Sequence, residues 1–532
     1  MTATWRVLIA DKIAEDGLGP LREDARFELV SRPGLNLADL TEALCDVDAV
    51  IVRSAAKVPR EAMARTSRLK VIGRAGVGVD TIDVEAATEK GIAVLNAPAG
   101  NTISAAELAF ALMLSLARRV PAADRSMKDG AWDRSKLGGN ELYGKTLGLI
   151  GAGRIGGEVA VRARAFGMHV VIHDPFLNPE RAKALDAELL PLDEVLRAAD
   201  VVSVHVPLTE GTHGLIGARE LALLKPGAML INAARGEIVQ EAALLDALQA
   251  RRLAGAALDV YEHEPLPADH PFRSLDNVVL TPHLGASTEE AQQNVALEIA
   301  TAVRAALAEG DFSRAVNAPG IGGERMRRMR PLLELAERLG RLGVALAGER
   351  LASVEVRYAG REQDALRALA ASAMIGALSE VVGRKAVNFV NALHIAAGRG
   401  IMTERTRLAP RGDYAEYLEL AFAGQGGGIR VAGVVLEGAH ARIVRIGEYR
   451  VDIATRGCLV ILRNRDVPGV IGRVGSALGA AGINIGQYYQ ARLEAGGEAL
   501  AAIGVDGRLS PDIMATLRGI PDVLDVRQVE LD

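Results

Sequence analysis

Residues 144–174, GKTLGLIGAGRIGGEVAVRARAFGMHVVIHD, decide the fold of the region around them. Residues 146–150 form a short apolar run that reads as a buried parallel strand. Gly151, Gly153 and Gly156 follow it with the spacing G-x-G-x-x-G. A helical pattern then runs over 155–166, and a second apolar run, 169–172, ends on Asp174. A glycine triplet alone is weak, but between strand and helix, with an acid downstream, it has the context of a dinucleotide site. Gly151 permits the tight turn, Gly153 lets backbone approach a pyrophosphate, and Gly156 lets the helix pack on the strand. Arg154 and Ile155 open that helix, whose free N–H groups and partial positive charge suit phosphates. Asp174 can accept both hydroxyls of an adenosine ribose and would repel a 2′-phosphate, so NAD is expected rather than NADP.

Upstream, residues 5–98 alternate between strands (6–10, 49–52, 69–72, 93–96) and helical patterns (37–44, 60–64, 84–90). Such alternation implies a parallel sheet with helices on both faces, and ligands bind beyond the carboxyl ends of its strands. Two of those ends are unusual: Arg53-Ser54, and the loop GRAGVGVD over 73–80, which carries Arg74. Gly73, Gly76 and Gly78 leave N–H groups uncovered, and such a loop can cradle a carboxylate. A long helix over 101–118, capped by Asn101 or Thr102, should link two lobes. Downstream strands at 201–206, 229–232, 256–260 and 278–280 bring Val206, Ala233, Ala234, Arg235, Asp259 and His283 to one crevice. An amphipathic helix follows over 289–308.

Residues 317–452 read as a small α/β domain, with helices at 329–347 and 364–371, a strand at 353–358, and strand-like segments at 429–436 and 441–446. Residues 458–532 show the order βαββαβ, which is ferredoxin-like. The 532 residues suggest three or four domains. Apolar residues are 49% but aromatics only 3%, so the cores must be built from Ala, Val, Leu and Ile. A net charge of −5 with mixed signs gives no basic face for nucleic acid or membrane. Cys45 and Cys458 match no metal spacing, so no metal is expected, and a reducing cytoplasm fits. No signal peptide is visible before Arg6, Asp11 and Lys12, and no apolar run reaches the ~20 residues of a membrane helix.

A dinucleotide site that moves hydride also needs a group that moves a proton. Of nine histidines, His283 stands out because it follows the last strand of the crevice. Glu264 could accept from its other ring nitrogen, and Arg235 could fork onto a substrate carboxylate. That set suits 2-hydroxy acids. His263, beside Glu264, reads as exposed.

INAARGEIV (231–239), Asp259 with Glu264-Pro265, TPHLGAST (281–288), GRAGVGVD and Asn101-Thr102 resemble the signatures of NAD-dependent D-2-hydroxyacid dehydrogenases. Length, intervening domain and tail are similar to the long type within that family. The resemblance implies an α/β protein of two doubly wound parallel-sheet lobes, a small α/β intervening domain and a ferredoxin-like ACT domain. Its boundaries would be 1–98 with 290–316 returning, 99–289, 317–452 and 453–532. Arg235, Glu264 and His283 would be catalytic. Gly151, Gly153, Arg154, Ile155 and Gly156 would hold pyrophosphate and Asp174 the ribose. Val77, Val206, Ala233, Ala234, Asp259, Gly285 and Ala286 would complete the NAD site with Arg235 and His283.

The implied reaction oxidises 3-phospho-D-glycerate to 3-phosphooxypyruvate on the way to serine, with 2-oxoglutarate reduction as a side activity. Arg53, Ser54, Arg74, Gly76, Val77, Gly78 and Asn101 would hold that substrate, with Arg134 offered by a neighbouring lobe or subunit. Asn464, Asp466 and Asn484 would hold L-serine as a feedback effector, and the cofactor lobe would build a homodimer or homotetramer. Two other readings stand beside this one: a glyoxylate- or hydroxypyruvate-type enzyme of the same family, and an NAD(H)-sensing regulator without turnover.

Overall fold

The computed structural model describes residues 5–348, 351–409, 414–424 and 427–532; the first four residues of the expected amino-terminal lobe lie outside these. The first sheet is parallel, in the order Phe27–Ser31, Trp5–Ile9, Ala49–Val52, Val71–Arg74, Ala93–Asn96. The strand order reverses between Trp5–Ile9 and Ala49–Val52, which makes their carboxyl ends, at Asp11 and Arg53, the mouth of a crevice. The helix Glu289–Glu309 returns to this sheet and buries Val295, Ile299 and Val303 against Val7, Ile51, Val71 and Leu95. Side chains of this kind stabilise by about 1.5–3 kcal/mol each when fully buried. Gly73 is required here for space, since a Cβ would lie 2.8 Å from Val303 Cγ2.

The second sheet is also parallel, in the order Val278–Leu280, Gly255–Leu258, Met229–Asn232, Val201–Val204, Thr146–Ile150, His169–His173, Glu188–Leu189. Its reversal lies between Thr146–Ile150 and Val201–Val204, which sets the glycine loop against His205 and Val206. The linking helix Thr102–Ala117 buries Phe110 and Met113 on this lobe. Asn101 stands at its N-cap, but neither it nor Thr102 makes a side-chain capping bond, contrary to the expected cap.

The carboxyl-terminal part contains a six-stranded mixed sheet, in the order Met402–Arg407, Leu351–Ala359, Tyr417–Gly424, Gly427–Leu436, His440–Ile446, Tyr449–Ala454. Helices Gly323–Ala347 and Leu366–Val382 cover one face. Three of these strands, Met402–Arg407, Tyr417–Gly424 and Tyr449–Ala454, are absent from the sequence reading. Residue 453 still belongs to this sheet, and the tail's own sheet starts at Cys458, where the sequence reading places the tail's first strand. The tail is a four-stranded antiparallel sheet, in the order Ile485–Arg492, Glu498–Val505, Cys458–Arg465, Val523–Glu530. Leu459, Ile461, Ala502 and Val529 on one of its faces join the core beneath Gly323–Ala347. Among the described residues no helix is long and apolar enough to cross a membrane.

Candidate active site

Each charged group of the crevice is placed by a turn that ends a strand. Asn232 closes the strand Met229–Asn232, and its buried side chain accepts from Ala234 N (3.1 Å) and donates to Arg235 O (2.9 Å). The turn therefore delivers Arg235 in a fixed position. Gly236 next to it rests directly on the neighbouring loop: a Cβ there would lie 1.9 Å from Tyr261 C. That loop carries Glu264, whose Oε1 accepts from Tyr261 N at 3.2 Å. Tyr261 in turn donates to Thr281 O (2.8 Å) and Leu258 O (3.1 Å), which ties the Glu264 loop to the His283 loop.

Asp259 braces the His283 loop from below. Its buried carboxylate accepts from Thr281 Oγ1 (2.7 Å), Leu284 N (2.8 Å) and Gly285 N (3.0 Å), and its backbone oxygen accepts from His283 N (2.9 Å). Burial pushes the Asp259 carboxyl above the usual range, and the three donors pull against that. His283 is held at φ 54°, a left-handed conformation that a histidine adopts only when its surroundings impose it. There Nδ1 lies 2.7 Å from Glu264 Oε2. Burial works against the Glu264 carboxylate, but the His283 contact, the Tyr261 N–H and the charge of Arg235 hold its pKa below the ordinary glutamate value. An ionised carboxylate only accepts, so Nδ1 carries a proton, and in the neutral imidazole Nε2 is the acceptor.

The loop 73–80 differs from its sequence reading. Gly76 and Gly78 are bare because two guanidinium groups lie where their side chains would be. A Cβ at Gly76 (φ 152°) would lie 1.4 Å from Arg74 Nη1, and one at Gly78 would lie 1.9 Å from Arg235 Nη2. The expected carboxylate nest is thus a berth for two arginines. Arg74 donates from Nη1 to Ala75 O at 3.3 Å, and its Nε is buried without a partner among the described residues. Its pKa is pushed down to about 10 by burial first and then by Arg235 and Arg53, against the pull of Asp80 and Asp11. Arg53 follows the neighbouring strand of the same sheet, where buried Asp11 accepts from Arg53 N (2.6 Å) and Ala56 N (3.1 Å) and shapes the turn that presents Ser54. Val77 accepts at its backbone oxygen from Asn96 Nδ2 (2.7 Å), which pins the loop's centre.

The dinucleotide segment fits its expected occupant. Gly151 has φ 88° and abuts His205 O, while a Cβ at Gly156 would lie 2.2 Å from Gly151 O. Nothing crowds Gly153, which caps the helix Arg154–Ala165 without a side-chain bond, so the first N–H groups face open space. Asp174 accepts from Ala152 N (3.0 Å) and Phe176 N (2.9 Å), which anchors the acid beside this loop.

Some of the other expected residues fall elsewhere. Arg134 lies in an exposed turn, Arg134–Lys136, and takes no part in the cleft contacts of its own chain. Asn464 is buried, donates to Arg465 O (2.7 Å) and leaves its Oδ1 without a partner among the described residues. Asp466 accepts from Arg492 Nη1 (3.0 Å), and exposed Asn484 donates to Asp506 (2.9 Å). Asp11 and Asp80 are given no site role in the sequence reading. Each acts on a partner dozens of positions away, and local spacing carries no signal of that.

Comparison with known proteins agrees with this geometry. Residues 110–285 match the D-isomer specific 2-hydroxyacid dehydrogenase NAD binding domain, and residues 328–447 match the D-3-phosphoglycerate dehydrogenase intervening domain. The D-3-phosphoglycerate dehydrogenases of Archaeoglobus fulgidus and Bacillus subtilis are each 40% identical over 99% of this chain and 100% of their own. A solved glyoxylate reductase from Paecilomyes thermophila superimposes with a TM-score of 0.55 at 32% identity, covering 59% of this chain and 99% of its own. Similarity that runs the full length of both chains, and includes the intervening domain, goes beyond a shared catalytic core: the chain belongs to the D-3-phosphoglycerate dehydrogenases, within the D-isomer-specific 2-hydroxyacid dehydrogenase family.

Proposed function

We propose that this protein oxidises 3-phospho-D-glycerate to 3-phosphooxypyruvate, the entry reaction of serine synthesis, with NAD as its cofactor. The observation that carries the substrate assignment is half-buried Arg74, its Nε buried without a partner among the described residues, kept cationic beside Arg53 and Arg235 at a cost that a bound anion would repay. A small 2-hydroxy acid needs one guanidinium for its carboxylate. A phosphate ester needs more, and a guanidinium meets a phosphate with two parallel hydrogen bonds.

In this reading Arg235 anchors the carboxylate, and Arg74 and Arg53 take the phosphate. His283 Nε2 accepts the C2 hydroxyl proton, and Glu264 stabilises the imidazolium that forms. NAD, when bound, accepts the C2 hydride. The segment Gly151, Gly153, Arg154, Ile155 and Gly156 would hold its pyrophosphate and Asp174 its ribose. Val206, Ala233, Ala234 and the loop braced by Asp259 would line its far end. The lobes, the intervening domain and the tail would be separate working parts. Serine would be sensed at Asp466 and Asn484 between paired tails.

Val120, Met127, Trp132 and Tyr143 project from the cofactor lobe, the last two 73% and 78% exposed. A patch of that kind supports a homodimer through this lobe, with Arg134 reaching toward the partner's cleft. The test is NADH formation by the purified protein with phosphoglycerate, set against reduction of glyoxylate and hydroxypyruvate. Arg53→Ala should raise the KM for phosphoglycerate, and an unchanged KM would refute the phosphate pocket.

A further inference from the structure

We infer that Asp80 is a positioning residue for the reaction. Standing on the substrate lobe, it holds the Arg235 guanidinium of the cofactor lobe in the orientation that receives the substrate carboxylate. The inference rests on the function proposed above. Arg235 donates from Nε to Asp80 Oδ2 at 3.2 Å and from Nη1 to Ala234 O at 2.6 Å. Its remaining donors are the Nη2 pair and the second Nη1 hydrogen. An incoming carboxylate therefore finds two parallel donors on the Nη1–Nη2 edge and a filled position at Nε.

Gly78 keeps this arrangement open: a Cβ there would lie 1.9 Å from Arg235 Nη2 and 2.5 Å from Asp80 Oδ2, wedged between the two partners. Residues 80 and 235 follow strands of different sheets. Among the described residues theirs is the one ion pair that joins the two lobes. Because the pair spans the cleft, a motion that parts the lobes would break it, which couples closure to the aiming of Arg235. The Asp80 side chain is 60% exposed and so has little packing duty. Its charge also opposes the mutual repulsion of Arg53, Arg74 and Arg235.

Asp80→Asn keeps the shape and removes the charge. With phosphoglycerate and NAD, kcat should fall about 10- to 100-fold, because a misaimed anchor displaces the reacting carbon. KM should not rise, and NADH affinity measured by fluorescence should hold. With substrate deuterated at C2, the primary isotope effect on kcat should grow, since hydride transfer becomes limiting. Asp80→Glu should recover part of the loss. If D80N keeps wild-type kcat and binds substrate more tightly, Asp80 is only a placeholder that the substrate displaces, and the inference is overturned. A fall in kcat with an unchanged isotope effect overturns it as well. Should the wild type prefer another 2-hydroxy acid, the function proposal fails, and the same comparison run with that acid still decides the role of Asp80.

Discussion

Arg74, half-buried, and Arg341, buried, have opposite surroundings. Arg74, in the cleft between the parallel-sheet lobes, has one long bond to a backbone oxygen, a partnerless Nε and two other guanidiniums nearby. Arg341, on the helix Gly323–Ala347, also leaves its Nε without a partner among the described residues, but it donates to Leu531 O (3.1 Å), to Asp532 O (2.6 Å) and to Glu337 Oε1 (2.5 Å), its ion-pair partner. The first makes no ion pair among the described residues, although Asp80 and Asp11 lie near enough to act on it, and the second fastens the last residues of the tail to the six-stranded unit. Burying a charge is costly unless it is paired. The arginine without an ion pair is the one the proposed phosphate pocket would complete, and the ion-paired one has its counterion supplied by its own helix. The same contrast holds for the acids: Asp80 faces an open cleft, whereas Glu419, 2% exposed, is enclosed with Arg357 and Tyr417.

The largest effect should come from the cleft. His283→Ala removes the proton acceptor and should lower kcat by about 10²- to 10⁴-fold. NADH affinity should be nearly unchanged, because the glycine loop and Asp174 are untouched. Weakened NADH binding without the kcat loss would place His283 in cofactor binding instead. On the other side of the comparison, Arg341→Gln should cost about 2–3 kcal/mol, since it strips a buried donor from the chain terminus. Hydrogen exchange over 523–532 should quicken while kcat stays the same. An equal loss of activity would show that the tail communicates with the cleft through this contact.

Arg74→Gln tests the frustrated member and should move stability and affinity in opposite directions. Folding lowers the pKa of Arg74 to about 10, below the ordinary arginine value. The unfolded chain therefore holds this proton more tightly, and the cost is fully present at every pH below about 10. Replacing Arg74 should raise the stability of the ligand-free protein by about 1 kcal/mol, after allowance for screening at the open side of the cleft. The KM for phosphoglycerate should rise about tenfold or more. In the unmodified protein, affinity for phosphoglycerate should fall as pH rises through about 10, where Arg74 loses its charge. Thermal melts with and without phosphoglycerate read both quantities. A variant that melts lower without ligand would remove the argument that Arg74 is frustrated.

Legibility follows the same division. Strands covered on both faces are continuous apolar runs, and AVIV over 49–52 and TLGLI over 146–150 can be read directly. The missed strands lie mostly at edges, where the pattern dissolves. FELVS over 27–31 has one buried residue, and MTERTR over 402–407 has none. The meeting of Glu264 with His283 could be read because both residues follow strands whose ends share a crevice. The glycines at 76 and 78 were legible as special but not as berths, since what fills them arrives from side chains that spacing cannot aim. Asp80 escaped for a related reason: its partner is 155 positions away.

The smallest effect belongs to the tail, where the contrast between open and satisfied charges is least clear. Asp466, half-exposed, has its pKa lowered first by Arg492 and then by the Gly496 N–H. An effector ammonium would have to compete with that arginine for the carboxylate. Solvent screens such an exposed pair, so on the proposed serine site Arg492→Ala should lower the serine concentration for half inhibition by only about 1.4- to 5-fold. Asp466→Asn should abolish the response in either background, because the ammonium then has no charged partner. The shift should shrink at high salt, which screens exposed pairs. If serine inhibits both forms at the same concentration, Asp466 is as satisfied as Arg341. The tail would then belong wholly to the structural side of the comparison.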